Sequence, residues 1–167
     1  MNKILIILLS ATSAGFAQTV KLTEGNISSL KDQVAVSIEF TYDSLAIGKP
    51  TDQGYIDTNP DPQQKERGKL NGQYDKARAE YQFQKAFTKQ TGLKVNINAP
   101  YTLIFHTTSF NKAKSASVSG VLYVVETQHK TERIASVSIT NAQVKSSIGE
   151  AYAKAGKEFG RFTKIRK

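Results

Sequence analysis

Residues 101–140 read YTLIFHTTSFNKAKSASVSGVLYVVETQHKTERIASVSIT. Three strand-like runs stand in this stretch. Tyr101 to Thr108 follows Pro100, Val118 to Glu126 is rich in valine, leucine and tyrosine, and Arg133 to Thr140 sets Ala135, Val137 and Ile139 on one face. Alternation of period two with β-branched and aromatic residues is the pattern of a half-buried strand. The links, Asn111 to Ser115 and Gln128 to Thr131, are short and contain polar turn residues. Parallel neighbours need long crossovers, so links of this length predict an antiparallel meander.

Past the meander, Ser147-Ile148-Gly149-Glu150 has the form of a capping box that opens a helix. Ile148, Tyr152, Ala155, Phe159 and Phe162 form one apolar stripe at helical spacing, and Lys154, Lys157, Arg161 and Lys164 form the opposite one. The cations near the C-terminus also complement the helix dipole. Gly149, Ala153, Gly156 and Gly160 make a third line beside the apolar stripe. Mid-helix glycine costs about 1 kcal/mol relative to alanine. Two on one line predict the close approach of another backbone. Gly156 and Gly160 have the spacing of a membrane-dimer motif, but a helix this charged does not span a bilayer.

Before the meander, Leu70 to about Gln90 predicts a helix stopped at Gly92. Leu70, Tyr74, Ala77 and Tyr81 lie on one side of it, and Phe83, Ala86 and Phe87 roughly opposite. Such a helix is sandwiched, kinked or packed differently along its length. Residues 43–69 read as a loop and charged helical insert. Asp52 is placed to cap a short turn through Ile56, and Asn59-Pro60-Asp61-Pro62 stops it. Gln63 to Lys69 is either exposed chain or the start of the next helix. Val34, Val36, Ile38, Phe40 and Tyr42 share one face of a strand, with Ala35, Ser37, Glu39 and Thr41 on the other. Thr23 to Asp32 offers only Ile27 and Leu30 for packing.

The order β-α(α)-β-β-β-α predicts an α+β two-layer sandwich, with about four mostly antiparallel strands and helices on one face. The connection between the first two strands has the length of a right-handed crossover, which would set the first strand parallel to a neighbour.

Residues 1–17 carry an address. Lys3 begins them, Ile4-Leu5-Ile6-Ile7-Leu8-Leu9 is unbroken and apolar, and Gly15 and Ala17 precede Gln18. That is the layout of a cleavable signal peptide, too short to span a bilayer. The expectation is export to a periplasm-like space or release, with cleavage between Ala17 and Gln18. A single α+β domain, 18–167, would remain. Its size buries about 70% of the unfolded surface, so it needs no covalent staples. There is no cysteine. Disulfides, thiolate zinc sites, a cysteine nucleophile and a lipidated cysteine anchor are thereby excluded. No later apolar run approaches the roughly 20 residues of a transmembrane helix.

The strand Tyr101-Thr102-Leu103-Ile104-Phe105-His106-Thr107-Thr108 and the ending Glu150-Ala151-Tyr152-Ala153-Lys154-Ala155-Gly156-Lys157-Glu158-Phe159-Gly160-Arg161-Phe162 resemble small exported proteins of Bacteroidetes with no assigned function. The resemblance covers most of the mature domain. Members often have an unbroken helix where this chain has Pro60 and Pro62. The topology is also distantly similar to small α/β domains of envelope lipoproteins such as the curli secretion-channel subunit, although the lipidated cysteine is missing. Neither resemblance supplies catalytic residues or a cofactor.

The chain's own residues supply few. His106 falls in a strand and His129 in a turn, with no partners at metal-ligand spacing, so no metal site is expected. Ser117-Val118-Ser119-Gly120 is strand material rather than a nucleophile elbow. Asp43, Asp52, Asp57 and Asp61 could pair as in a glycosidase, but in a turn-rich loop such residues serve as caps. Asp57 to Asp61 is similar to part of a calcium loop and lacks its glycine and terminal glutamate. Tyr74, Tyr81, Phe83 and Phe87 beside Lys76, Arg78 and Lys85 could stack bases or sugars, yet core packing explains them as well. No RNA-binding signature accompanies them.

The formal charge of +9 falls by one, to +8, when Lys3 leaves with the leader. A basic surface attracts anions, and export disfavours nucleic acid among them. The expected function is therefore a non-enzymatic envelope binding or accessory domain. Its contact face is Lys154, Lys157, Arg161 and Lys164, and its partner is an anionic envelope component or an envelope protein. The competing class is a hydrolase whose site assembles only in three dimensions.

Overall fold

The computed structural model describes residues 19–42, 46–47, 64–111, 115–145 and 147–165. The leader, the Ala17–Gln18 junction, Asp43, Asp52, Asp57, Asp61 and the two prolines after Asn59 lie outside the described residues.

The α+β class holds, and the long strands do form a meander. β5 (Tyr101–Asn111), β6 (Ala116–Glu126) and β7 (His129–Val144) pair antiparallel in sequence order. Burial alternates along β6, with Ala116, Val118, Leu122 and Val124 inside. β7 begins four residues earlier than Arg133, because a tight turn at Thr127–Gln128 takes the place of the longer expected link.

Among the described residues the sheet has seven strands rather than four, in the order β1-β7-β6-β5-β2-β4, with β3 on β5. β1 (Thr19–Gly25) pairs antiparallel with β7. β2 (Ala35–Thr41) and the two-residue β3 (Ala46–Ile47) both run parallel to β5 and follow one another along it. The crossover after β2 thus does set that strand parallel. β4 (Lys94–Val95) pairs parallel on the outer side of β2. The three added strands are short or polar. They exist because a longer neighbour offers its backbone groups, a condition that local alternation does not record.

A 3-10 turn, Ile27–Leu30, buries both residues expected to pack there. α1 (Gln64–Thr91) starts earlier than Leu70, which makes Gln64 to Lys69 the beginning of the helix. It ends at Gly92, whose φ of 80° suits glycine. Ala79, Phe83 and Phe87 are buried, whereas Ala77 and Tyr81 face solvent. α1 is thus packed on one side over this part, while the side chains of Leu70 and Tyr74 on its other apolar line lie outside those described.

α2 (Ile148–Ile165) buries Tyr152, Ala155 and Phe159, with Ile148 and Phe162 at the margin. The cap is present at Ser147, whose Oγ accepts from the Glu150 N–H at 3.3 Å. Phe83 of α1 and Phe159 of α2 both meet Phe105 of β5, with ring centroids 4.9 and 5.6 Å away. Both helices therefore cover the same face of the sheet. Gly156 lies against Phe83, and Gly160 lies against Phe87 and Gln90. Contacts that advance together along both chains make the helices parallel. Val34 departs from the sequence expectation. It belongs to the inner face by alternation but is 79% exposed, because it precedes the strand and lies beyond the covering layer.

Candidate binding surfaces

A chain of hydroxyls joins the two layers. The Tyr42 hydroxyl, just past β2, donates to Glu80 Oε1 of α1 at 2.8 Å. Lys76 stands over the Tyr42 ring, 4.1 Å from its centre. Tyr152 of α2 is a further neighbour of that phenol. Its own hydroxyl shares a 2.8 Å hydrogen bond with Thr107 Oγ1 of β5, where both residues are buried. Burial first, then the neighbouring Tyr152 and the hydrogen bond to Glu80, hold the Tyr42 phenol far above the usual tyrosine range. A neutral phenol of this kind is a donor and a latch, not a nucleophile.

The pH consequence has a definite sign. Below pH 10, the ordinary tyrosine value, Tyr42 is protonated in both the folded and the unfolded chain. Above it, the unfolded chain releases a proton that the folded chain keeps, so stability falls as pH rises. Tyr42→Phe should flatten that decline in thermal unfolding midpoints measured above pH 10. An undiminished slope would show that Tyr42 titrates as it does in the unfolded chain.

The other face of the sheet has no helix over it among the described residues. Register places Glu39, Ile104, Tyr123, Ser136 and Glu24 in one row across it, and Thr41, His106, Val121, Ser138 and Lys21 in the next. Several of these side chains pair with one another. His106 Nδ1 and Thr41 Oγ1 are 3.0 Å apart, and the His106 ring lies 6.3 Å from that of Tyr123. Arg133 covers Tyr123 at 4.1 Å, and Lys130 pairs with Glu39. His129 pairs with Glu126 at 3.2 Å, in the open. The two histidines are on different rows and are not brought together. No group of three or more metal-ligating side chains occurs among the described residues.

The four cations of α2 do share one side of that helix, but they are not equivalent. Lys154 is half-buried and donates to the Gln143 carbonyl of β7 at 2.9 Å. Arg161 pairs with Glu158 at 3.0 Å. Lys157 and Lys164 are exposed. Lys157, Arg161 and Lys164 therefore stand outside, with Lys154 tied to the sheet. Sequence periodicity placed the stripe but did not show the end of β7 beside it. Of the aromatics set among cations, Phe83 and Phe87 are core and Tyr81 is 58% exposed, while the side chain of Tyr74 lies outside those described.

No protein-family model and no curated protein matches the sequence. Among solved structures, a PelC dodecamer from Paraburkholderia phytofirmans is similar at a TM-score of 0.47 and 12% identity. The match covers 90% of this chain and 98% of that one. A second crystal form carrying a single-substitution variant of the same protein scores 0.46 at 10% identity, with the same coverage. The likeness is one of fold, and it is distant. No helix among the described residues is long and apolar enough to cross a membrane.

Proposed function

We propose that this is an exported, non-catalytic domain that binds an anionic partner in the cell envelope through the outer side of α2. The observation that supports it best is the division of labour on that helix. Tyr152, Ala155 and Phe159 are buried against the sheet and α1, while Lys157, Arg161 and Lys164 stand outside. Export rests on the leader sequence, cleaved between Ala17 and Gln18.

The test begins with the native protein, whose intact mass should correspond to a chain starting at Gln18. Retention of Met1 would overturn export. The chain from Gln18 contains every strand and helix described above. It should bind an acidic polysaccharide such as heparin, and binding should weaken steeply with salt. Exposed charges more than about 8 Å apart are already largely screened at physiological ionic strength, so only a clustered face keeps affinity there. Reversing Lys157, Arg161 and Lys164 to glutamate should abolish binding and leave the circular dichroism unchanged. Lys154 is kept, because its ammonium holds the Gln143 carbonyl. Binding indifferent to salt and to the reversal would leave the charge as a solubility device.

A further inference from the structure

We infer that the anionic partner is a lipid surface, and that the apolar contact to it is made by Val34, Val95 and Ile97 at the β2–β4 edge rather than by α2. The inference rests on the anionic-partner reading above and narrows it.

Val34 and Ile97 are 79% and 78% exposed, and Val95 is 41% exposed. Backbone pairing brings Val34 and Val95 to adjoining positions, and Ile97 follows two residues on. The Lys94 N–H donates to the Val34 carbonyl at 2.9 Å, and the Asn96 N–H to the Val36 carbonyl at 3.0 Å. β4 is the last strand on its side of the sheet, and among the described residues no further strand covers this edge.

The helices bring cations to the same end. α1 leads through Gly92 and Leu93 directly into Lys94. α2 runs parallel to α1, and Gly160 meets Gln90, so the last turn of α2 lies beside the last turn of α1. Lys89 and Lys164, both exposed, therefore flank the end of the molecule that carries exposed Lys94 and the three apolar side chains. Glu158, the acid nearest Lys164 on α2, is already paired with Arg161.

Exposed aliphatic side chains with lysines at the same end of the molecule match a membrane interface, where the chains enter the acyl boundary and the ammonium groups meet anionic headgroups. Other occupants fit less well. A soluble polyanion would satisfy the lysines and leave the aliphatic side chains in water. A second copy meeting the same end would oppose lysine to lysine. β4 is paired over only two residues, which is a short edge for an incoming strand.

The test uses the chain from Gln18 with vesicles of phosphatidylcholine, alone or mixed with phosphatidylglycerol, and with heparin as a lipid-free polyanion. The protein should co-sediment with the anionic vesicles and not with the neutral ones. The double variant Val34→Ser, Ile97→Ser should weaken vesicle binding by about tenfold or more, because each loses its apolar transfer. Heparin binding and the unfolding midpoint should stay unchanged. Vesicle binding unaffected by the double variant would overturn the inference. Heparin binding without vesicle binding would also overturn it, while the anionic-partner reading stands. Binding to neither would overturn both. A dimer in sedimentation equilibrium that the double variant dissociates, with no vesicle binding, would assign the edge to self-association instead.

Discussion

Replacing Phe159 with alanine should lower the free energy of unfolding by about 3–5 kcal/mol, the range for truncating a buried aromatic ring. Phe159 is fully buried, and its ring lies 5.6 Å from Phe105 and 6.1 Å from Phe83. Truncation would remove the contact of α2 with both the sheet and α1 and leave a void in the middle of the aromatic cluster. Lys157→Ala, two positions earlier and on the outside, should change stability by less than about 0.5 kcal/mol. Urea unfolding of the two variants compares them directly. Equal losses would mean that the faces of α2 are assigned wrongly.

That contrast was legible in the sequence, because residues three and four apart on a helix share a side whatever lies around it. The core strands were legible for a similar reason. Leu122 and Val124 alternate with Val121 and Tyr123, and the alternation survives into the burial of β6. What the sequence concealed is non-local. Lys94 and Val95 form a strand only because Val34 and Val36 offer carbonyls to it. Thr41 meets His106 across 65 positions, and Tyr42 meets Glu80 across 38. Val34 continues the inner alternation of β2 yet stands in solvent, because periodicity states a direction but not where the covering layer ends. The same limit applies to the basic stripe. Its line on α2 follows from spacing, whereas the docking of Lys154 on Gln143 depends on where β7 stops.

The second large effect runs against helix propensity. Gly→Ala in a helix interior ordinarily stabilises by about 1 kcal/mol. At Gly156 it should destabilise by about 1–3 kcal/mol, the usual cost of forcing atoms into a packed site. A Cβ built there falls 2.3 Å from the Phe83 carbonyl oxygen and 3.0 Å from its carbonyl carbon. Those atoms belong to the backbone of α1 and cannot swing aside as a side chain can. The two helices would have to separate, taking Phe83 and Phe159 with them. At Gly160 the closest atom, at 2.7 Å, is the Cβ of Gln90, and the 3.0 Å neighbour is that side chain's Cγ. Gly160→Ala should therefore cost less than Gly156→Ala. At Gly149 the nearest atoms are 3.9 Å away, so Gly149→Ala should be neutral or stabilising. Thermal unfolding of the three variants should thus rank Gly156→Ala as the most costly, Gly160→Ala next and Gly149→Ala as harmless or stabilising. Stabilisation at Gly156 as well as Gly149 would show that the helices do not approach as closely as described, and the glycine line would lose its explanation.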